Sequence, residues 1–232
     1  RDQPRSRGLG DVYKRQVSPV MVNDAKSTFY HIDFSFDELR LGGSAFAQSQ
    51  GYVGSDVPTV KNPDYFRDAF NAVQDLINKG LIMAGHDISA GGLITTLLEM
   101  TFANTEGGMD VCLDKFKTDD LVRVLFAENP GVVVQVADKH KKAFKELLDE
   151  VGVGYVKIGT PAEERQIMVT LGDATYQFGI DYLRDVWYET SYLLDTKQSL
   201  NGCAKKRYEN YKQQPLEFHI CLLYTSDAAD DR

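Results

Sequence analysis

Short apolar strands alternate with amphipathic helical segments along the middle of this chain. Runs of β-branched and aromatic residues predict strands at 27–34, 81–85, 109–113, 131–137, 155–158, 166–171 and 174–179. Apolar residues that recur every three or four positions predict helices at 41–50, 63–79, 91–102, 118–126, 138–150 and around 182–193. Strands that alternate with helices of this length predict an α/β fold, with a mixed sheet layered with helices.

The composition agrees with a folded domain and disfavours several functions. Apolar residues make up 43% and charged residues 26% of the 232 residues, close to the average of globular chains. The net charge of −8 disfavours binding to nucleic acid, which is a polyanion. Every apolar run is too short for a transmembrane helix, so no membrane association is predicted. Three scattered cysteines are too few for a disulfide framework, which favours a reducing, cytoplasmic location.

The two ends of the chain differ from the middle. Residues 1–16 are rich in Lys and Arg, residues 221–232 are equally unpatterned, and neither segment shows apolar periodicity. The first residue is not Met and no amphipathic stripe follows, so a transit peptide does not fit. We interpret both segments as non-native, adapter-like tails. This interpretation predicts a domain at 17–195, a linker at 196–220, and a chain that is a piece of a longer protein.

Two Gly-rich segments are candidates for phosphate binding. In AGHDISAGGL at 84–93, a predicted strand ends and Gly91 and Gly92 fall in the first turn of the next helix. Glycines at a helix N-terminus expose backbone N–H groups that can hold a phosphate. With Asp87 and Ser89, the same segment also fits ordinary helix capping and tight packing. Both interpretations apply to the second segment, which comprises Gly42, Gly43 and Ser44.

Asp33 is the candidate metal ligand. Its carboxylate ends an apolar strand, two residues before Ser35. Proteins bind Mg²⁺ through one or two carboxylates together with phosphate oxygens and water. The alternative is an aspartate that caps the strand end or lies at the surface. Asp37 and Glu38 are close enough in sequence to take the same role.

The remaining polar and aromatic candidates carry weaker signals. No two of the four histidines stand at metal-ligand spacing. His86 lies beside Asp87, which fits either a site residue or a buried, hydrogen-bonded structural histidine. Cys112 alternates with core residues and is expected to be a buried thiol. The aromatic stripe near 182–192 is expected to face the core.

The order of these motifs resembles one enzyme family, the long form of phosphoribosylformylglycinamidine synthase. The motifs are IDFS, LGGSAFAQ, GHDISAGGLITTLLEM, LFAENPGVVVQV and RDVWYETSY, in that order. The similarity is to the carboxy-terminal half of the family's second aminoimidazole-ribonucleotide-synthetase-like repeat, over residues 17–220. The stretch at 206–220 resembles the linker to its glutaminase domain. HD-x-S-x-GGL is shared by a wider superfamily, whereas the later motifs are more specific.

The resemblance implies a fold, a reaction and a set of ligands. The fold is that of the AIR synthase C-terminal domain. The reaction converts formylglycinamide ribonucleotide to the amidine, with ATP and with ammonia from glutamine. The implied ligands are Mg²⁺ and ATP or ADP, at a catalytic site and at an auxiliary site that retains nucleotide. By position, Asp33 matches the family's metal-binding aspartate and Ser35 its nucleotide-contacting residue.

Other parts of the family's polypeptide are the implied partners of this chain. They supply an Asp, a Glu and an Asn to the metal site, the catalytic repeat and the glutaminase domain. No catalytic residue is assigned here, and the chain alone is expected to be inactive. Ala90 stands where many relatives have an acidic residue, so no carboxylate role is assigned at that position.

Two alternative functions stay open on the sequence. One is another ATP-using enzyme of the same superfamily, such as selenophosphate synthetase, although RDVWYETSY and the linker have no place there. The other is a non-catalytic α/β assembly module, because the sequence shows no complete triad or metal cluster.

Overall fold

The structure is a computed structural model that describes residues 17–116 and 118–213. The chain forms two compact units, Arg1–Glu189 and Thr190–Arg232. The boundary between them falls inside a long helix, Ile180–Gln198. The predicted tails at 1–16 and 221–232 lie outside the described residues.

Strands and helices alternate along the described residues, as the sequence predicts. The strands are β1 (Ser27–Asp33), β2 (Ala84–Asp87), β3 (Gly108–Cys112), β4 (Gly131–Ala137), β5 (Tyr155–Ala162), β6 (Gln166–Leu171) and β7 (Ala174–Gly179). The helices are α1 (Ala45–Ser49), α2 (Pro63–Asn78), α3 (Gly92–Phe102), α4 (Leu121–Phe126), α5 (Lys141–Glu150), α6 (Ile180–Gln198) and α7 (Cys203–Glu209). Among these described helices, none combines the length and apolar character needed to cross a membrane.

All of these strands join one sheet, in the order β2-β4-β1-β5-β3-β6-β7. Neighbouring strands run antiparallel, except β3 and β6, which are parallel. The predicted mixed sheet is therefore confirmed. β4 lies between β2 and β1, which makes its two ends meeting points for segments that are distant in sequence.

Each face of the sheet carries its own hydrophobic core. Side chains alternate along β1, so that Phe29 enters the first core while Tyr30 and Ile32 enter the second. The first core packs against α3, α4 and the start of α6. The second core packs against α2 and α5. This layering matches the α/β fold predicted from the apolar pattern.

β2 begins at Ala84, later than the strand predicted at 81–85. Leu81 and Ile82 are buried in the second core. The N–H of Leu81 still donates to the carbonyl oxygen of Leu76, at 3.0 Å, as the chain leaves α2. The apolar run therefore reflects burial after the helix, and ladder pairing with β4 begins only at Ala84.

The segment predicted as a linker at 196–220 is largely helical where the structure describes it. α6 continues to Gln198, and α7 follows. Within the unit that starts at Thr190, Arg207 Nε donates to Asp195 at 2.9 Å, and the rings of Tyr192 and Tyr208 stack at 4.6 Å. Polar residues cover most of these helices, so they show little apolar periodicity.

Two predictions about burial are wrong. Cys112 is exposed, because it lies on the face of β3 opposite to the buried Val111. Of the predicted core stripe, Tyr182 and Trp187 are 73% and 52% exposed. The start of α6 faces the first core through Ile180 instead.

Gln135 connects the segment before β1 to the sheet. Its buried amide accepts from the N–H of Val22 at 2.8 Å and donates to the carbonyl oxygen of Val22 at 2.7 Å and to Ser27 Oγ at 2.8 Å. We expect Gln135→Ala to lower the free energy of unfolding by about 1–3 kcal/mol, because these groups lose their partner. Urea denaturation measures the change. A loss no larger than that of Gln74→Ala, at an exposed position of α2, would contradict this expectation.

Candidate functional site

Three segments meet at one edge of the sheet. β1 and β2 both end against the beginning of β4, where Asp33 stands opposite Gly131 and Asp87 opposite Val132. Residues 128–131, the ENPG segment, lead into β4 at the same place. The N–H of Phe34 donates to the carbonyl oxygen of Pro130 at 2.9 Å. The topology thus brings the two predicted sites, IDFS and HDIS, next to each other.

The carboxylate of Asp33 organises the turn that follows β1. Its Oδ1 accepts hydrogen bonds from the N–H of Ser35 at 3.0 Å and from Ser35 Oγ at 2.7 Å. Its Oδ2 accepts from the N–H of Phe36 at 2.9 Å, where the backbone is left-handed with φ 51°. Since each carboxylate oxygen has two lone pairs, the described residues leave one acceptor position on Oδ2 open. Asp33 is partly exposed and combines the two predicted roles, a strand-end cap with room for a ligand.

Ser35 is fully buried and has no free hydrogen-bonding capacity on its hydroxyl. The hydroxyl donates to Asp33 and accepts from the N–H of Asp37 at 3.1 Å and from Asn129 Nδ2 at 3.2 Å. A serine hydroxyl offers one donor and two acceptor positions, and all three are used. In this conformation Ser35 supports Asp33 and presents no free hydroxyl to a nucleotide.

Asp37 anchors the loop after β1 and does not duplicate Asp33. Its side chain is fully covered and forms an ion pair with Lys61 and a second with Arg40 Nε at 3.1 Å. Thr59 Oγ1 also donates to it, at 3.1 Å. The Lys61 ammonium, aided by Arg40 and Thr59, holds the pKa of Asp37 far below its usual range, although burial acts in the opposite direction. Its oxygens are therefore committed to the loop.

Burial lowers the pKa of His31 to about 4, while the nearby Asp33 carboxylate opposes this shift. The ring of His31 lies 5.4 Å from that of Phe116. At neutral pH His31 is therefore neutral. It adds no positive charge that would compete with a cation for Asp33.

The Gly-rich segment of Gly42, Gly43 and Ser44 uses its backbone for hydrogen bonds within the chain. The N–H of Gly42 donates to the carbonyl oxygen of Asp56 at 2.8 Å, and that of Gly43 to Val53 at 2.6 Å. Ser44 is the N-cap of α1 and accepts from the N–H of Ala47 at 3.1 Å. A Cβ at Gly42 would lie 2.5 Å from the backbone of Asp56. The capping and packing interpretation thus describes these residues in this structure.

The Gly-rich segment at 84–93 binds an anionic group, and that group is a side chain of the protein itself. Glu128 Oε1 accepts from the N–H of Gly91 at 2.7 Å and from the N–H of Ala45 at 2.8 Å. The carboxylate thus bridges the starts of α3 and α1, where a negative charge is favoured. Gly92 donates to the carbonyl oxygen of Ser89 at 3.0 Å. Asp87 is exposed, and the N-cap of α3 is Gly91.

His86 is a structural histidine in this arrangement. Its Nδ1 lies 2.8 Å from the carbonyl oxygen of Asp87, and its Nε2 lies 3.4 Å from Glu99 Oε2. Glu99 in turn accepts from Trp187 Nε1 at 2.9 Å. This chain of contacts ties the HDIS turn to α3 and to the beginning of α6.

Sequence reasoning missed the roles of Glu128 and Asn129. Both lie in LFAENPG, a motif that supported the resemblance without any assigned chemistry. An amide and a carboxylate side chain directly before a clearly predicted strand indicate a candidate site. The residues that these side chains contact, however, are distant in sequence. Only the fold shows that these two side chains contact both predicted sites.

Among the described residues, Asp33 is the predicted metal ligand whose chemistry fits Mg²⁺. Asp33 offers a hard carboxylate oxygen with an open acceptor position, which suits the ion. Within residues 17–116 and 118–213, no three or more His, Cys, Asp or Glu side chains are grouped to hold a metal.

Most of the sequence that forms this site also matches the model of a known protein family. The model of the AIR synthase related protein, C-terminal domain, matches residues 35–172, which include both Gly-rich segments and the ENPG segment. The chain belongs to this family. The fold implied by the sequence resemblance is thereby confirmed.

Curated relatives of this AIR synthase related domain are long enzymes. The chain is 33% identical over 204 residues to the probable phosphoribosylformylglycinamidine synthase, chloroplastic/mitochondrial, of Arabidopsis thaliana. It is 30% identical over 196 residues to the phosphoribosylformylglycinamidine synthase of Homo sapiens. These matches cover 87% and 82% of this chain but only 14% of each relative. These matches favour the resemblance to phosphoribosylformylglycinamidine synthase over the alternative of selenophosphate synthetase.

Solved structures show the same fold for the AIR synthase related domain. T. maritima PurL complexed with ATP matches with a TM-score of 0.57 and 14% identity, over 73% of this chain and 27% of that one. T. maritima PurL complexed with FGAR matches with a TM-score of 0.59 and 16% identity, over 73% and 29%. At such identities the likeness concerns the fold alone.

The bridge made by Glu128 can be tested by two substitutions. We expect Glu128→Ala to lower the free energy of unfolding by about 1–3 kcal/mol, because two helix-start N–H groups lose their acceptor. Glu128→Gln keeps an oxygen at that position and should recover most of the loss. Urea denaturation of both variants decides the point. Equal losses in the two variants would show that the charge, and not the hydrogen bonds, holds the helix starts.

Asp37 should give the domain a sensitivity to acid. Because its folded pKa lies below the unfolded value of about 4, its stabilisation is complete above pH 4 and is lost as the pH falls through the folded pKa. We expect Asp37→Asn to be less stable at pH 7 and to show a flatter decline of stability below pH 4. Urea unfolding from pH 2 to 7 measures this, with exposed Asp173→Asn as the control. An unchanged acid decline in Asp37→Asn would refute the assignment.

Proposed function

We propose that this chain is a piece of a long phosphoribosylformylglycinamidine synthase, from the carboxy-terminal half of its second AIR-synthase-like repeat. Such an enzyme is an ATP-dependent carbon–nitrogen ligase that converts formylglycinamide ribonucleotide to the amidine, with glutamine as the nitrogen source. Family membership, the two curated relatives and the ordered motifs support the proposal. The T. maritima structures with ATP and with FGAR agree with these substrates.

The observation that carries the proposal is the state of the Asp33 carboxylate. Three hydrogen bonds hold it rigidly at the sheet edge, and one acceptor position on Oδ2 stays open. A partly exposed carboxylate oxygen with an open acceptor position can accept a hard cation. We assign Asp33 as one ligand of Mg²⁺ at the auxiliary nucleotide site. Mg²⁺, when bound there, screens the charge of the nucleotide phosphates.

The other candidate residues support this site from within the protein. Ser35 orients the carboxylate of Asp33, and Glu128 holds Gly91 and the start of α1 beside it. If phosphate binds to the N–H groups at Gly91, it has to replace the Glu128 carboxylate there. Direct nucleotide contacts by Ser35, Gly42, Gly43, Ser44, Asp87, Ser89, Gly91 and Gly92 stay predictions.

The remaining partners follow from the same proposal. The other metal ligands, the catalytic repeat and the glutaminase domain come from the rest of the same polypeptide. The catalytic step takes place in the other repeat, so this chain contributes stability and nucleotide retention. The cytoplasmic location stays a prediction that rests on the cysteine content.

Asp33→Asn tests the assignment in the complete polypeptide. Loss of the negative charge should weaken nucleotide retention and lower the melting temperature, because a bound ligand stabilises the state that binds it. With nucleotide at about 100 times its Kd, full loss of binding removes about 2.7 kcal/mol of stabilisation. Turnover should fall less than retention, since the site is auxiliary. Nucleotide released from denatured protein, melting curves and amidine formation are the three measurements.

The outcomes separate the possible errors. Full nucleotide retention with an unchanged melting temperature would show that Asp33 is only a strand-end cap. Normal retention with abolished turnover would place Asp33 in the catalytic site. The control is the 232-residue chain alone, which should bind Mg²⁺-ADP weakly and form no amidine. Amidine formation by that chain would overturn the assignment of a non-catalytic piece.

A further inference from the structure

Asn129 is a buried amide in the loop before β4, and all of its polar contacts reach the turn and loop that follow Asp33. It is 3% exposed. Its Nδ2 donates to Ser35 Oγ at 3.2 Å and to the carbonyl oxygen of Glu38 at 3.0 Å, while its Oδ1 accepts from the N–H of Arg40 at 3.1 Å. The carbonyl of Glu38 needs a donor and the N–H of Arg40 needs an acceptor. These two backbone groups therefore allow only one orientation of the amide.

This orientation determines the direction of the Ser35 hydroxyl. Asn129 Nδ2 fills one lone pair of Ser35 Oγ and the N–H of Asp37 fills the other. The hydroxyl proton then has one acceptor left, Asp33 Oδ1 at 2.7 Å. A hydroxyl bond to a charged acceptor is among the stronger hydrogen bonds of a protein. The amide of Asn129 thus acts on the carboxylate of Asp33 without contacting it.

We propose that Asn129 is a positioning residue for a cation at Asp33. Through Ser35 it holds the carboxylate so that Oδ1 is saturated and the open acceptor position lies on Oδ2. The inference rests on the proposed function of Asp33 and adds a residue that determines how tightly the cation is held. Residues that orient a metal-binding carboxylate in this way change metal affinity by about 10–100-fold when they are lost.

Gln135 provides a matched control within β4. It too is a buried amide with three hydrogen bonds, but its partners are Val22 and Ser27. None of these three bonds reaches the turn after Asp33. Gln135→Ala and Asn129→Ala therefore remove comparable side chains, and only the second removes support from Asp33. A purely structural role of Asn129 predicts the same behaviour for both variants.

The first experiment measures cation dependence in the complete polypeptide. ADP retention is followed by equilibrium dialysis over a series of Mg²⁺ concentrations, for the unsubstituted protein, Asn129→Ala, Gln135→Ala and Asp33→Asn. We expect Asn129→Ala to raise the half-saturating Mg²⁺ concentration about 10-fold or more. For Gln135→Ala, the half-saturating Mg²⁺ concentration should stay within about twofold of that of the unsubstituted protein. Each variant is measured at a temperature at which the same fraction of the protein is folded. Equal shifts in Asn129→Ala and Gln135→Ala would overturn the proposal.

The same experiment keeps this proposal apart from the proposed function. If Asp33→Asn leaves the Mg²⁺ dependence unchanged, the assignment of Asp33 fails and the positioning role fails with it. The other outcome is that Asp33→Asn abolishes the Mg²⁺ dependence of ADP retention while Asn129→Ala shows the same dependence as the unsubstituted protein. In that case Asp33 is confirmed as a ligand, and only the role of Asn129 is overturned.

A second measurement needs neither Mg²⁺ nor nucleotide. The N–H groups of Ser35 and Phe36 donate to the Asp33 carboxylate, so their hydrogen exchange reports how firmly it is held. In the 232-residue chain we expect Asn129→Ala to speed exchange of these two amides, and Gln135→Ala to speed exchange of Val22 instead. If Asn129→Ala does not fold, Asn129→Ser is measured in the same way. Unchanged exchange at Ser35 and Phe36 in the folded variant would overturn the positioning role.

Discussion

The antiparallel pairing of β1 with β4 is the interaction on which the candidate site depends. Its register sets Asp33 opposite Gly131, the last residue of the ENPG segment. Close approach of the strands requires a glycine there, since a Cβ at Gly131 would lie 2.8 Å from the carbonyl oxygen of Ile32. A shift by one residue would turn every side chain of β1 to the other face. It would also separate Asp33 from Asn129, and the site would be lost.

At this sheet edge the protein satisfies its polar groups with its own carboxylates. Asp33 binds the turn after β1, Asp37 binds Lys61 and Arg40, and Glu128 binds two helix starts. Buried polar groups are costly unless they are paired, so such a network keeps the edge in one conformation. The acceptor position that the described residues leave open on Asp33 Oδ2 is thus held by rigid surroundings. Rigidity of this kind is what a ligand for a small, demanding cation requires.

The apolar pattern predicted most of the fold because burial repeats along strands and helices. It misplaced the start of β2, since Leu81 and Ile82 are buried without pairing in the ladder. It also placed Cys112 in the core, because periodicity shows that alternate residues differ but not which face a helix covers. The end of α6 and α7 are mostly polar and carry no apolar stripe. The pattern therefore indicated a linker at 196–220.

For the site, the sequence by itself determined the residue types that chemistry requires: a carboxylate at a strand end, glycines at helix starts, and motifs ordered as in one enzyme family. Tertiary structure alone decided how each is used. The Ser35 hydroxyl is saturated, and Glu128 occupies the helix start that was a candidate for phosphate binding. Hydrogen bonds across 94 and 37 residues connect these groups, and local patterns contain no information about such distant pairs. Pairing of strands in space is what brings them within bonding distance.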